Sequence, residues 1–276
     1  MITPDISGML MRGAFDGEKM HLEASIEESL EMFELEHKQE KRLKKAGMSP
    51  RRRILLSGPP GNGKSTLAAL IAHRLGVPFF KVEQGSIVDS HLGGTGANIS
   101  KLKAGLNGFR GKSVVLWDEF DGVAQSRSFE DVGEMKRVVG SLLNMVDELP
   151  ENIIFVVASN FTERFDEAML RRFDMRLHLG PPTLFEALDF CKSWLGEDVT
   201  VLYSEIENRS WADLCKLRDQ YRRYRILKPK SEPVEGWKHS VAQIFDERIK
   251  TSPPPRMITF SVSELNKLQE SEGLKS

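Results

Sequence analysis

Short apolar runs alternate with segments of helical periodicity through the first 180 residues of the chain. The runs fall at residues 54–56, 78–82, 113–117 and 153–158, with an alternating segment at 175–179. Between them, apolar residues recur about every 3.6 positions, most clearly at residues 66–72, 101–106 and 134–148. Strands that alternate with helices form parallel sheets that are covered on both faces. The pattern therefore predicts an α/β fold built on a doubly wound parallel sheet.

The stretch between the first apolar run and the first helical segment is Gly58-Pro59-Pro60-Gly61-Asn62-Gly63-Lys64-Ser65. It matches the pattern G-x-x-x-x-G-K-[ST], in which glycines let backbone N–H groups point at phosphate oxygens and the next helix adds its positive end. Lys64 is expected to reach the β- and γ-phosphates, and Ser65 to be a ligand of Mg²⁺. The predicted nucleotide-binding residues are Pro60, Gly61, Asn62, Gly63, Lys64, Ser65 and Thr66. The alternative is a glycine-rich turn that fits the pattern by chance.

Two acidic residues, Asp118 and Glu119, directly follow the apolar run at residues 113–117. Open α/β sheets bind their ligands at the carboxyl ends of the strands, where these acids are expected to lie. Asp118 is predicted to hold the magnesium through its water shell, so it counts among the metal and the nucleotide residues. Glu119 is predicted to be the general base that deprotonates the attacking water. The alternative is that the two acids cap the next helix.

Composition narrows the kinds of partner that the protein can bind and the cellular compartment that suits it. Thirty-nine Lys and Arg residues against forty Asp and Glu residues leave a net charge of −1. A nearly neutral chain has no overall field that attracts nucleic acid or an anionic membrane. Its two cysteines, Cys191 and Cys215, have neither metal-site spacing nor the number that a disulfide framework needs. Because no apolar stretch reaches signal-peptide or membrane-spanning length, we expect a cytoplasmic protein without membrane association.

Glycine and proline clusters divide the chain into four expected parts. Residues 1–24 are expected to be a flexible arm, and residues 25–180 a nucleotide-binding α/β domain with a leading helix. Residues 181–228 are predicted to form a small helical lid. Residues 229–276 are predicted to be a linker and a C-terminal helix or tail, interrupted by prolines that forbid a continuous helix.

Four segments of the sequence resemble, in order and spacing, the AAA family of ring-forming ATPases. They are Gly58 to Ser65, Val114-Val115-Leu116-Trp117-Asp118-Glu119, Val156-Val157-Ala158-Ser159-Asn160 and Phe165-Asp166-Glu167-Ala168-Met169-Leu170-Arg171-Arg172-Phe173-Asp174. The resemblance covers roughly residues 25 to 228. In that family the polar residue at the end of the fourth strand helps to position the lytic water, a role that falls on Asn160. Arginines before the Phe-Asp pair reach the γ-phosphate bound by a neighbouring subunit, so Arg171 and Arg172 are the candidate arginine fingers.

The resemblance also implies a function. An AAA ATPase binds ATP with Mg²⁺ and assembles as a homo-oligomeric ring, usually of six subunits. It uses hydrolysis, in which Lys64 would also act, to remodel or activate a protein partner, and a separate effector protein is one form of output. One alternative is an accessory ATPase of DNA transactions, of the helicase- or transposase-loading type, which the neutral charge balance argues against. The other is a nucleotide switch that does not hydrolyse ATP.

Three segments depart from the family pattern. Leu-Arg-Arg-Phe-Asp is shorter than the arginine-glycine-arginine stretch of many members, so either arginine can be the finger. His91-Leu92-Gly93 carries histidine where protein-threading members carry an aromatic residue that grips polypeptide, so threading stays open. Ser210-Trp211-Ala212-Asp213-Leu214 resembles the lid motif Ser-Gly-Ala-Asp-Leu with tryptophan in place of glycine. That motif places the lid near the nucleotide but leaves the adenine contacts unassigned.

Overall fold

The computed structural model describes residues 6, 8–17, 20–88, 94–120, 132–161, 165, 167–195, 206 and 208–227, and for residues 132–137 it describes the backbone alone. The chain divides into two compact units, one of residues 1–181 with 210–212 and the other of residues 182–209 with 213–276. Two expectations fall outside the described residues. They concern the segment His91-Leu92-Gly93 and the linker and tail at 229–276.

Within the described residues, the first unit contains a six-stranded sheet. Its strands are β1 (Leu10–Gly13), β2 (Arg53–Ser57), β3 (Phe79–Val82), β4 (Ser113–Trp117), β5 (Ile153–Ser159) and β6 (Met175–His178). Their spatial order is β1-β3-β4-β5-β2-β6. The strands from β2 onward pair in parallel, so that Ile54 lies between Val156 and Met175, whereas β1 pairs antiparallel with β3. The predicted doubly wound parallel sheet is confirmed.

Helices lie between the strands in the chain and enclose the sheet. They are α1 (Ala24–Lys38), α2 (Glu40–Lys45), α3 (Lys64–Leu75), α4 (Gly94–Leu106), α5 (Val132–Asp147) and α6 (Glu167–Leu170). Every residue of β4 and β5 is buried, as expected for central strands that are covered on both faces. Alternate side chains enter two different apolar clusters, Val115 and Trp117 on one face and Val114 and Leu116 on the other.

Residues 10–13 form a strand at the edge of the sheet, so the expected flexible arm is wrong for this stretch. The strand pairs with β3 along its whole length, and Gly13 lies so close to Phe79 that a Cβ there would be 2.8 Å from the ring. The sequence pattern did not predict β1 because its side chains are only half-buried or exposed and show no alternation. Backbone pairing, rather than burial of a hydrophobic face, therefore holds this strand.

Two segments with helical apolar spacing form less continuous helix than the spacing indicates. The spacing from Leu22 to about Lys45 favours one helix, but the chain leaves the helical backbone conformation at Gln39 and forms α1 and α2. The spacing from Phe165 to Phe173 also favours a helix, but from residue 167 onward the described residues form only α6 and a turn. In that turn the N–H of Arg172 bonds to the carbonyl three residues earlier, at 3.1 Å, which tightens the end of the helix.

The described part of the second unit is helical. It contains α7 (Leu184–Leu195) and, from residue 213, the body of α8 (Trp211–Leu227), both where the periodicity predicts helices. A reciprocal cap begins α7, since the N–H of Glu186 donates to Thr183 Oγ1 at 3.2 Å and the N–H of Thr183 donates to Glu186 Oε2 at 2.8 Å. Trp194 packs against Tyr221 of α8 with ring centroids 5.3 Å apart. None of the helices in the described ranges has both the length and the apolarity that crossing a bilayer requires.

Candidate nucleotide-binding site

Three parallel strands carry predicted site residues to one edge of the sheet. Strand β2 leads into the phosphate loop, which we define as residues 58–63, while β4 ends before Asp118 and β5 before Asn160. Because β5 lies between β4 and β2, and parallel strands share their carboxyl edge, these three segments are neighbours. The structure therefore brings together the residues that the sequence predicts for phosphate and metal binding.

The phosphate loop requires glycine at the positions where its backbone turns. Gly58, Gly61 and Gly63 have φ values of 127°, 80° and 84°, in the left-handed region that favours glycine. A side chain at Gly58 would also collide with the backbone carbonyl of Leu179. Gly63 is the N-cap of α3 and offers no side-chain acceptor, so the first N–H groups of the helix can serve an anion. Among the predicted nucleotide-binding residues, Pro60 and Gly61 of the loop and Thr66 of α3 are exposed.

Lys64 makes the hydrogen bonds that join the phosphate loop to the end of β5. It is only 7 % exposed, although lysine is seldom buried. The ammonium group donates to the carbonyl oxygens of Gly58, at 2.7 Å, and Pro59, at 3.0 Å, and to the side-chain Oδ1 of Asn160, at 2.7 Å. These bonds join the phosphate loop to the end of β5.

Ser65 and Asp118 form a second link across the site. The hydroxyl of Ser65 donates to Asp118 Oδ2. The other carboxylate oxygen of Asp118 accepts the backbone N–H of Glu119 at 3.0 Å, which fixes the direction of the carboxylate. Hydroxyl and carboxylate oxygens are the ligands that Mg²⁺ prefers in nucleotide sites, so the pair fits the predicted metal.

Glu119 has an unusual backbone conformation. Its φ is 49°, in a region that residues with a side chain seldom occupy. Phe120, which follows it, is buried and packs edge-on against Trp117 with ring centroids 5.3 Å apart. The chain is therefore fixed on both sides of Glu119, and no sequence pattern signals this conformation.

The first residues of α8 lie against the phosphate loop, in the same compact unit. The N–H of Ala212 donates to the carbonyl of Gly61 at 2.9 Å, and the N–H of Trp211 donates to Asn62 Oδ1 at 3.4 Å. The Trp211 ring stacks on the ring of His21, with centroids 5.2 Å apart and planes 10° apart. Trp211, which replaces the glycine of the lid motif, is thus placed beside the loop.

Comparison with known families agrees with this geometry. The model of the ATPase family associated with various cellular activities (AAA) matches residues 54–181, a stretch that begins in β2 and extends beyond β6. It contains the phosphate loop, the acid pair and Asn160. This chain carries an AAA domain.

The AAA domain is similar to curated proteins from several organisms. An AAA family ATPase of Sinorhizobium fredii is 36 % identical over 145 residues, which are 51 % of this chain and 42 % of the relative. The 26S proteasome regulatory subunit 8 homolog of Schizosaccharomyces pombe is 32 % identical over 170 residues, 59 % of this chain and 42 % of the relative. Protein CdcH of Halobacterium salinarum is 34 % identical over 167 residues, 58 % of this chain and 22 % of the relative. The chain spans less than half the length of each of these relatives.

The candidate fingers of the AAA domain lie in the turn after α6, residues 171–174, which we call the arginine turn. Arg172 is held against the domain, since its Nε lies 3.3 Å from Asp147 Oδ2 and its Nη1 donates to the carbonyl of Ala168 at 2.6 Å. Among the residues that the structure describes, Arg171 pairs with Glu167, one helical turn earlier, at 2.8 Å, and these side chains are 70 % and 78 % exposed. An ion pair so exposed contributes between about 0 and 1 kcal/mol. Arg171 is therefore the arginine that the domain presents to solvent.

The arginine turn lies at the end of the sheet where the parallel strands begin, away from the phosphate loop. The N–H of Asp174 donates to the carbonyl of Arg53, the first residue of β2, at 2.9 Å. The phosphate loop begins after the last residue of β2, about 13 Å farther along the strand at ~3.3 Å per residue. The structure therefore does not bring Arg171 and Arg172 together with Lys64.

Asp174 and Arg53 form a contact at the end of the arginine turn that the sequence analysis did not predict. The Asp174 carboxylate accepts the guanidinium of Arg53 at 2.9 Å and the backbone N–H groups of Arg52 and Arg53 at 3.1 and 3.0 Å. Burial alone would raise the pKa of Asp174, but the hydrogen bonds from Arg53 and from the two backbone groups outweigh it, so the pKa lies below its ordinary value. The available signal was the arginine run at residues 51–53, which is also typical of a solvated strand start.

Proposed function

We propose that the AAA domain binds ATP with Mg²⁺ and hydrolyses it to ADP and phosphate. The observation that carries this proposal is the pair of links across the site, Lys64 to Asn160 and Ser65 to Asp118. These links gather a buried ammonium, a hydroxyl and a carboxylate at the start of α3. A magnesium triphosphate needs this set of groups beside a helix N-terminus.

Each of these groups has a distinct binding role in the proposal. Lys64 and the N–H groups of the phosphate loop hold the β- and γ-phosphates. An anionic phosphate oxygen is a stronger acceptor for the ammonium than the neutral oxygens of Gly58, Pro59 and Asn160. Ser65 and Asp118 would hold the metal, the first through its hydroxyl and the second through its carboxylate. Bound Mg²⁺ would neutralise charge on the phosphates.

Glu119 is proposed to accept the proton of the attacking water. It follows Asp118 directly, so its carboxylate belongs to the same edge of the sheet as the metal ligands. Asn160 is proposed to help orient that water, and its contact with Lys64 sets the direction of its amide group. The two residues follow the ends of neighbouring strands, β4 and β5, from which both would approach the γ-phosphate.

Arg171 is proposed to complete the site of a neighbouring copy. The arginine turn lies at the amino edge of the sheet, which supports action on another chain rather than on the phosphates of its own. The family resemblance supports a ring of such copies, with six as the expected number. A finger in trans would neutralise charge on the transferring phosphoryl group.

The proposed output is remodelling or activation of a protein partner. One relative is named as a regulatory subunit of the 26S proteasome and another as an ATP-dependent zinc metalloprotease, which supports a protein substrate over nucleic acid. A cytoplasmic location is part of the same proposal, because two cysteines in 276 residues are too few for a disulfide framework and fit a reducing compartment.

Turnover measured against protein concentration tests the proposal. The parent is expected to release phosphate at a rate per chain that rises as copies associate. Arg171→Ala is expected to lower that rate by about 10³-fold or more, the usual value of an arginine finger. Arg176→Ala, at an exposed position of β6, is the matched control and should keep the parent rate. A rate per chain that is independent of concentration and unchanged in Arg171→Ala would overturn action in trans.

A further inference from the structure

We propose that Asp174 is a positioning residue that fixes the arginine turn, so that Arg171 enters the nucleotide site of the neighbouring copy in a defined orientation. This inference rests on the proposed action of Arg171 in trans. It adds a residue that acts through Arg171 and that does not itself touch the nucleotide.

The contacts of Asp174 tie the end of the arginine turn to the first strand of the parallel sheet. Its carboxylate bonds to the backbone of Arg52 and Arg53 and forms a charged pair with the Arg53 guanidinium. Its own N–H returns a bond to the carbonyl of Arg53. The side chains of Asp174 and Arg53 are 23 % and 25 % exposed, so water only partly screens the pair.

The rest of the turn is also fixed, with one exception. Phe173 of the turn and Met169 of the preceding α6 are 6 % and 5 % exposed and belong to the apolar core. Arg172 reaches back to Asp147 at the end of α5. Arg171 alone among residues 171–174 projects a mostly exposed, 70 % accessible side chain beyond this framework.

A finger is useful only if its guanidinium is held close to the developing charge before the reaction begins. Misplacement by about 1 Å can lower a rate by about 10²-fold. Asp174→Asn keeps the shape of the side chain but removes the negative charge and places an amide where a carboxylate oxygen faces Arg53. We therefore expect the Arg171 of this variant to be poorly placed in the site of the neighbouring copy. Its own phosphate loop, at the opposite end of the strands, should still bind ATP.

Mixing two inactive variants separates the donor role from damage to the whole domain. Asp174→Asn retains a nucleotide site but supplies a poor finger, whereas Glu119→Gln supplies a good finger but has no base. In a head-to-tail assembly, equal mixing should restore about a quarter of the parent turnover, because half of the sites are intact and half of their neighbours are good donors. Asp174→Asn mixed with Arg171→Ala is the matched control and should restore none.

The arms of the experiment distinguish the two proposals. Arg171→Ala mixed with Glu119→Gln must recover turnover, and failure there would overturn action in trans itself. If that mixture recovers but Asp174→Asn with Glu119→Gln does not, the role of Asp174 is refuted and action in trans is kept. Undiminished turnover of Asp174→Asn alone would refute the role as well.

Two further variants keep the test decisive. Asp174→Glu, which restores the charge, should recover part of the turnover that Asp174→Asn loses. If Asp174→Asn does not fold, Arg53→Gln takes its place, since it removes the guanidinium and leaves the backbone bonds of Asp174. The same two outcomes then support or refute the positioning role.

Discussion

At the scale of single residues, Glu119 combines a proposed chemical role with an unfavourable backbone conformation. A positive φ at a residue other than glycine costs about 1 to 3 kcal/mol and persists only where the surroundings fix it. Here the bond from its N–H to Asp118 and the burial of Phe120 provide that constraint. The strained residue directly follows β4, at the end of the strand where the proposed general base is required.

Two substitutions at Glu119 separate chemistry from strain. Glu119→Gln should lower turnover by about 10²- to 10⁴-fold, the usual contribution of a general base, while ATP affinity is kept. Glu119→Gly should lose the same activity but raise the free energy of unfolding by about 1 kcal/mol relative to Glu119→Gln, because glycine adopts the positive φ without strain. Phosphate release, nucleotide titration and denaturant unfolding measure these quantities. Intact turnover in Glu119→Gln would remove Glu119 from the mechanism.

The sequence predicts the residues of the site better than their conformations. Lys64, Ser65 and Asp118 are predictable because fixed chemistry at fixed spacing accompanies the strand-to-helix pattern. The backbone of Glu119 is not, since neighbouring side chains and a bond to Asp118 impose it against local preference. Asp174 was missed for a related reason, because its partners are distant in sequence and meet only when β6 pairs with β2.

At the scale of elements, α1 is attached to the domain through a buried histidine. The Nε2 of His37 lies 2.8 Å from the carbonyl of Arg51, an arrangement in which Nε2 carries the proton, and its Nδ1 lies 3.2 Å from Lys112 Nζ. Lys112 also donates to Glu40 at 2.6 Å. Burial lowers the pKa of His37, and the nearby Lys112 adds to that effect, while the bond to Arg51 opposes it.

This contact predicts a loss of stability in mild acid. The pKa of His37 is lower in the folded than in the unfolded chain, so the unfolded chain binds more protons as pH falls below about 6.5. The free energy of unfolding should therefore decrease from pH 7 towards pH 5, with a slope of at most about 1.4 kcal/mol per pH unit from this group. His37→Gln should remove this contribution, whereas His73→Gln, at an exposed position of α3, should keep it. Denaturant titrations at several pH values measure the slope, and a parent slope that His37→Gln leaves unchanged would contradict the assignment.

The phosphate loop gives a second prediction at this scale. Gly58→Ala meets both a positive φ and the carbonyl of Leu179, whereas Gly76→Ala, at the end of α3, meets a positive φ with open space around it. We expect a cost of about 1 kcal/mol for Gly76→Ala and a larger one for Gly58→Ala, which should also weaken ATP binding. Thermal unfolding and nucleotide titration compare the two variants. Equal costs would mean that the contact with Leu179 relaxes easily.

At the scale of the whole molecule, the first compact unit extends well beyond the stretch that the family model matches. The match begins at residue 54, whereas β1 and α1 lie before it. Helix α1 is fastened to α3 by Glu27 and Arg74, at 2.7 Å, and Met20 lies against the phosphate loop at Gly63. Apolar runs predict the parallel strands, but a half-exposed edge strand such as β1 leaves almost no signature in the sequence.

Removal of residues 1–23 tests the contribution of this leading segment. The deletion exposes the edge of β3 with its backbone groups unpaired, so the shortened chain should aggregate and unfold at a lower temperature. Met11→Ala in the full chain changes an exposed side chain and keeps the strand, so it should behave like the parent. Light scattering and thermal unfolding compare them. Parent-like solubility and stability of the shortened chain would contradict a role for β1.

The phosphate loop and Arg171 lie at opposite ends of the parallel strands, so copies that share a site must associate head-to-tail. If Arg171 serves its neighbour, two copies cannot serve each other through one shared twofold interface. A dimer would then have one nucleotide site completed by the Arg171 of its partner and one site without a finger. An open chain of copies would likewise have one incomplete site at its end. Closure into a circle is the arrangement that leaves no pocket idle, so loss of a single copy from the circle would silence hydrolysis next to the gap.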